Sequence, residues 1–262
     1  MATNADLIPV SEKRWRRGYS NLVAAGFSGW WKTNEWWVQI LIWAGILVMM
    51  LAGFLLGTDE ATESAYIVFP LVLGIFVPIS VVIITQDAIV GEKLSGTAEW
   101  VLSKPVTPIA FILSKFISNL VSMLITMILV PGLIGYLLIG VLTGEFPGLL
   151  GFAGGLLILS LNLTFFLTLS LMLGTLFDHG GPVIGIPLAV HFGQQLLAGA
   201  LGPAAIYLPW AMLVPLPGTD HSTVSALISG NPVQTWVTPI LVTILTAVFF
   251  IISVNRFANQ EF

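Results

Sequence analysis

Six long apolar runs that contain no Asp, Glu, Lys or Arg constrain this chain more than any other feature of its sequence. Each has about 20 residues or more, which is the length a helix needs to cross a bilayer about 30 Å thick. The runs are Trp36 to Gly57, Ala65 to Thr85, Phe116 to Thr143, Leu149 to Phe177, Pro182 to Leu201, and Trp236 to Asn255.

The runs predict an all-α, polytopic membrane protein with six transmembrane helices, because an unpaired strand edge cannot exist in lipid. Hydrophobic residues make up 56% of the 262 residues and charged residues 8%. The crossings therefore use most of the chain, and we expect one transmembrane domain over residues 36–262. Residues 1–35 are predicted to form a cytoplasmic amino terminus and an interfacial elbow helix, since residues 21–37 are rich in Trp and other apolar side chains.

The basic residues predict the orientation of the chain, because Lys and Arg near the ends of spans remain cytoplasmic. A six-span arrangement puts all of them on one side, whereas the loops on the other side carry acids. Both termini are then cytoplasmic, and we expect a prokaryotic plasma membrane location. The basic residues are Lys13, Arg14, Arg16, Arg17, Lys32, Lys93, Lys104, Lys115 and Arg256.

The number of crossings depends on residues 180–219, a long stretch that contains no Asp, Glu, Lys or Arg. This stretch could hold one crossing and a partial one, or two. A seventh crossing would move Arg256 to the outer side, and four prolines interrupt the second half of the stretch. We therefore favour six spans, with an outer helical hairpin near residues 204–213 between spans 5 and 6.

A charged segment, GEKLSGTAEWVLSKPVTP, occupies residues 91–108 between spans 2 and 3. Thr97 is a plausible N-cap, Glu99 would lie in the first helical turn, Lys104 in the last, and Pro105 would stop the helix. The segment predicts a short cytoplasmic helix, followed by a helix that Thr107 caps. An amphipathic loop helix that only lies on the lipid headgroups is the alternative.

This segment, with the FILSK sequence that follows it, resembles the cytoplasmic loop of type-2 ATP-binding-cassette (ABC) exporter permeases. In that family an acid and often a base precede Gly-Thr, then come another acid, Ser and Pro-Val, and a basic residue lies in the next helix. The chain departs from the pattern at Ala98, where Leu is commoner, and at Thr107-Pro108, where Ser-Arg is frequent. The matching residues are Glu92, Lys93, Gly96, Thr97, Glu99, Ser103, Pro105, Val106 and Lys115.

The resemblance implies that this segment is a coupling helix that docks on a separate ATPase. The chain has no G-x-x-x-x-G-K-[ST] phosphate loop, so ATP and Mg²⁺ are expected on that partner and no cofactor on this chain. The implied assembly has two ATPase subunits and two permease subunits, identical or homologous, in the lipid bilayer, with no nucleic acid. It would export its substrate by alternating access. The implied docking residues are Glu92, Lys93, Gly96, Thr97, Glu99, Leu102, Lys104 and Pro105.

A few polar residues within the spans are candidates for a translocation path or a dimer interface. His191, Gln194 and Gln195 share a face of the fifth span, and packing between helices is the interpretation that we favour for such a face. Pro70 and Pro78 could let the second span flex, and they are also ordinary in membrane helices.

Two other classes of function remain open at this point. An ion-coupled secondary transporter or channel usually has an ionisable residue at membrane depth, and the spans offer only His191. A noncatalytic membrane anchor of a larger complex would share the docking helix. An enzyme fits poorly, because the sequence has no cysteine, no G-x-S-x-G elbow and no histidines at metal-ligand spacing.

Overall fold

The computed structural model describes residues 16–57 and 61–259, and these residues form helices and connecting turns without any strand. Six of the helices are long and apolar enough to cross a membrane. The chain is therefore a multi-pass membrane protein by the length and composition of its helices, as the apolar runs predict. The spanning helices are Glu35–Leu55, Ala61–Leu94, Pro108–Thr143, Leu149–Leu176, Gly180–Tyr207 and Val237–Ala258.

The described residues contain eleven α-helical segments, and two of the spans are divided by short π-helical stretches. These stretches are Asp87–Gly91 and Leu124–Leu129. The α-helices are α1 (Tyr19–Lys32), α2 (Glu35–Leu55), α3 (Ala61–Gln86), α4 (Glu92–Leu94), α5 (Thr97–Leu102), α6 (Pro108–Met123), α7 (Val130–Thr143), α8 (Leu149–Leu176), α9 (Gly180–Leu201), α10 (Thr223–Ser229) and α11 (Val237–Ala258).

The helix α8 lies at the centre of the bundle. In the most apolar stretch of α8, 67% of the residues are buried inside the protein. The corresponding share is 22% for the spans that contain α9 and α11. It packs against α3, α10 and α11, and its core side chains include Phe165 and Phe166. Because α9 and α11 bury so little, most of their apolar surface is left for lipid or for another protein.

The described Lys and Arg residues gather at one end of the bundle, which we call the basic end. There Glu92 pairs with Lys115, and Phe111 stacks on Phe257 with ring centroids 4.9 Å apart, next to Arg256. Acidic residues such as Glu145 lie in the connections at the other end. The predicted segregation of charge is therefore present in the fold. Lys13, Arg14 and the C-terminal residues 260–262 lie outside the described residues.

The uncertain stretch after residue 180 contains one spanning helix. Beyond α9 the chain forms two 3₁₀ turns, Gly202–Tyr207 and Pro209–Met212, where the sequence predicts an outer hairpin. The short helix α10 follows, and no feature of the sequence analysis predicts it. It packs on α8, where the backbone oxygen of Leu227 lies so close to Gly151 that no side chain would fit there.

The prolines of the spans interrupt the helices less than the sequence suggests. Pro70 and Pro78 are both buried inside α3, which continues without a break to Gln86. In the third span the π-helical stretch Leu124–Leu129 ends two residues before Pro131. The helix therefore departs from α-helical geometry in the turn before the proline and not at the proline itself.

Candidate functional site

The charged segment at residues 91–108, which we call the basic-end loop, begins as a continuation of α3. The π-helical stretch leads directly into α4, and the chain then turns at Gly96, whose φ of +71° favours glycine. The helix α5 starts after this turn. Thr97 is its first residue and its hydroxyl contacts that of Ser95 at 2.8 Å, so the N-cap is Gly96 and the prediction of a Thr97 cap is wrong.

The far side of the loop follows the prediction more closely. Glu99 lies in the first turn of α5, which ends at Leu102, before Lys104 and Pro105. The side chain of Leu102 lies outside the described part of the structure. Thr107 caps α6 by accepting a hydrogen bond from the backbone N–H of Ala110 at 3.2 Å.

Two ion pairs hold the base of the loop to the spans. Glu92 pairs with Lys115 of α6, and each side chain is only about one-fifth exposed, with values of 23% and 22%. Lys93 pairs with Asp178, just after α8, at 3.2 Å, and its ammonium group also donates to the carbonyl of Thr175 at 3.4 Å. The end of the second span is thereby joined to both the third and the fourth.

The helix α1 is joined to the same region. Gly18, with a φ of +77°, lies against Val106, and the N–H of Thr107 donates to the carbonyl of Arg17 at 3.4 Å. Further along, the indole N–H of Trp30 donates to Asn119 of α6 at 3.2 Å. The loop and the third span therefore both contact α1 or the residues just before it.

The outer surface of the loop is exposed and partly apolar. Leu94 is 70% exposed and Trp100 is 64% exposed, and the ammonium group of Lys104 lies 5.0 Å from the centroid of the Trp100 ring. Glu99 and Pro105 are also exposed, whereas Ala98 is buried beneath them. The loop thus presents an apolar and a charged surface away from the bundle.

The polar residues of the fifth span occupy three different environments. His191 is buried against Phe166, and both of its ring nitrogens lack a hydrogen bond of good geometry within the described residues. The side-chain oxygen of Gln194 accepts from the backbone N–H of Trp210 at 3.0 Å and so caps a 3₁₀ turn. Gln195 is half-buried, and its amide nitrogen has no partner there.

The structure thus separates the residues that the motif groups together. Glu92 and Lys93 make ion pairs inside the chain, while Glu99, Lys104 and Pro105 lie on the exposed surface. The sequence motif does not include Trp100, and the aromatic residue type between Glu99 and Lys104 was the available signal. Asp178 could not be predicted as the partner of Lys93, because a residue 85 positions away cannot be found from local spacing.

These features define a helical, multi-pass membrane protein with an anchored and partly exposed loop at its basic end. Residues 36–262 match the model of a family described as proteins of unknown function, DUF2705. Since the match extends over most of the chain, the protein belongs to this family. No curated protein matches the chain significantly.

Proposed function

We propose that this protein is the membrane-spanning permease subunit of an ATP-driven ABC exporter, with the basic-end loop as the docking site for a separate ATPase. The observation that carries the proposal is the division of the loop into an anchored base and an exposed outer surface. Glu92 and Lys93 tie the base to the third and fourth spans, while Leu94 and Trp100 face away from the bundle.

The anchored base makes the loop suitable for transmitting a force. A docked ATPase that moved α5 would also move α4, because only the turn at Gly96 separates them. The ion pair from Glu92 would carry that movement to α6, and the hydrogen bond from Trp30 would carry it to α1. We envisage two permease subunits and two ATPase subunits, in which ATP-driven closure switches the spans between inward and outward access.

The exposed outer surface suits a protein partner. Tryptophan is among the residues that contribute most to binding energy at interfaces, and here a charged residue lies on each side of it. The same ring would also suit the lipid headgroup region, so the loop could instead lie on the membrane. Contact with an ATPase and contact with lipid therefore have to be separated by experiment.

The test is to co-express the chain with candidate cassette ATPases from the same organism and to purify any complex that forms. We expect ATP hydrolysis to change when the permease is present in proteoliposomes, and transport to require both proteins and ATP. Full transport by the purified chain alone would contradict the proposal. An ATPase that neither binds the chain nor changes its rate would contradict it as well.

An ion-coupled transporter is the second candidate, and the buried His191 favours it. A titratable side chain inside a span, with no hydrogen bond of good geometry to the described residues, is the kind of group that can bind a proton in transit. Transport driven by a pH gradient without ATP, and lost in His191→Phe, would select this candidate.

A further inference from the structure

A cavity of about 470 Å³ lies at the basic end, between the elbow helix and the basic-end loop. The helix α1 forms one wall, the end of the second span forms another, and α5 and α6 complete it. This volume lies within the range of small-molecule sites. It is separate from the outer surface of the loop, because neither Leu94 nor Trp100 lines it.

The charges that line the cavity do not balance. Glu92 and Lys115 pair with each other, whereas Asp87 has neither an ion pair nor a hydrogen bond within the described residues. No other charged side chain among the described residues lines the walls, so these residues give the cavity one carboxylate in excess. A cationic group would complement it.

The remaining walls are largely apolar. Leu22, Ile84 and Phe111 line the cavity, and so does Trp30, whose indole N–H is fixed by its hydrogen bond to Asn119. With its N–H engaged in this way, the ring is held in one orientation at the cavity wall. An aromatic ring and a carboxylate that line the same cavity favour an ammonium group, because both attract positive charge.

We infer that this cavity binds the ammonium headgroup of an amphiphile from the adjacent membrane leaflet. The headgroup contacts Asp87 and the ring of Trp30, and the alkyl chain follows the apolar wall towards the lipid. The inference does not rest on the proposed function, since binding requires neither ATP nor an ATPase. The amphiphile is either a membrane lipid such as phosphatidylethanolamine or a cationic amphiphile without phosphate.

Native mass spectrometry of the purified chain in a neutral detergent tests the inference. The probes are dioleoyl-trimethylammonium-propane, dioleoyl phosphatidylethanolamine and dioleoyl phosphatidylglycerol, which have the same chains and different headgroups. We expect the cationic lipid to bind and the anionic lipid to bind much more weakly. Asp87→Asn should weaken binding of the cationic lipid by roughly tenfold, because it removes the charge attraction between the carboxylate and the ammonium group.

A second pair of variants tests the position of the site. Gly29 lines the cavity, and a Cβ added there meets no atom within 4 Å, so Gly29→Leu should fill the space without a clash and weaken binding to a similar degree. Gly45→Leu is the matched control, because Gly45 is equally open but lies on α2, away from the cavity. Glu99→Gln is the control for loss of an acid at the same end.

Each outcome has a definite meaning. If phosphatidylethanolamine binds as well as the cationic lipid, and this binding is lost in Asp87→Asn, the occupant is a membrane lipid. If phosphatidylethanolamine does not bind, the occupant is a cationic amphiphile without phosphate. Equal retention of cationic and anionic lipids would overturn the inference. Unchanged binding in both Asp87→Asn and Gly29→Leu would overturn it too, since the lipid would then lie elsewhere.

Discussion

Glu92, at the end of the second span, forms an ion pair with Lys115, which lies two turns into the third. The 22 residues between them, 93–114, contain the whole exposed surface of the basic-end loop, so this pair closes the loop at its base. Because both side chains are mostly buried, water screens the pair less than it would a surface pair.

Reversing one charge of this pair should destabilise the isolated permease. We expect Glu92→Lys or Lys115→Glu to lower the free energy of unfolding by about 1–3 kcal/mol, the range for a contact to a charged group. The double exchange should recover more than half of the loss, as thermal unfolding in detergent would measure. Glu99→Lys, at an exposed position on the same loop, should have little effect on unfolding.

The same variants distinguish an internal role of Glu92 from a direct contact with an ATPase. If Glu92 only positions the loop, the double exchange restores both stability and co-purification with the ATPase. If Glu92 contacts the ATPase, the double exchange restores stability and leaves co-purification impaired. The structure favours the first outcome, because the carboxylate already has a partner.

Replacing Trp100 with Ala should weaken binding of the ATPase without destabilising the permease. The ring is 64% exposed, and exposed substitutions rarely change stability by more than about 0.5 kcal/mol. We expect at least about a fivefold loss of affinity in co-purification or titration, which is the loss of about 1 kcal/mol at an interface hot spot. Trp236→Ala is the control, since Trp236 is 50% exposed at the opposite end of the bundle. Equal losses in both variants would exclude Trp100 from the docking surface.

Gly151 should not tolerate even Ala. An added Cβ would collide with the backbone oxygen of Leu227, and the short helix α10 would have to move away from α8. We expect Gly151→Ala to cost on the order of 1–3 kcal/mol, as overpacking in a core does. Gly154→Ala is the matched control, because its Cβ would lie an ordinary 3.6 Å from the side chain of Leu227. The control should be neutral or slightly stabilising, and equal effects of the two changes in thermal unfolding would contradict the packing described for α10.

His191 and Gln194 should respond in opposite ways to apolar replacement. Gln194→Leu removes the acceptor of the Trp210 N–H and should cost about 1–3 kcal/mol, the penalty for a buried unsatisfied donor. His191→Phe removes two ring nitrogens that have no hydrogen bond of good geometry among the described residues, and it should leave the unfolding temperature unchanged or higher. A loss of transport in the stable His191→Phe protein would then show a functional role, whereas a large loss of stability would contradict the environment described here.

The apolar runs were sufficient to predict the bundle, because the length of a crossing and the exclusion of charge are strong constraints. The cap at Thr107 and the start of α6 at Pro108 also follow from local rules. In contrast, α10 has only seven residues and is held by its contact with α8, which no local pattern encodes. The residue types predict Thr97 as the N-cap of α5, whereas the left-handed turn at Gly96 determines where this helix begins.

In the candidate site, too, local sequence patterns predict the helix but not its contacts. The residue types of the loop indicated that it is charged and helical, but could not tell a residue that pairs internally from one that faces a partner. Lys93 and Lys104 look alike in the sequence. The first is joined to Asp178 across the bundle, and the second lies over the exposed ring of Trp100.

Site-directed cross-linking tests the central claim most directly, because the chain contains no cysteine and a single introduced thiol is unique. Ser103 is exposed beside Trp100, and Glu145, exposed at the opposite end, provides the control position. We predict that Ser103→Cys cross-links to the ATPase in membranes, with a yield that changes on addition of ATP, and that Glu145→Cys does not. If the thiol at 103 reacts only with a reagent confined to the outside of the cell, or if ATP-driven transport proceeds with no cross-link at 103, the loop is not the docking site.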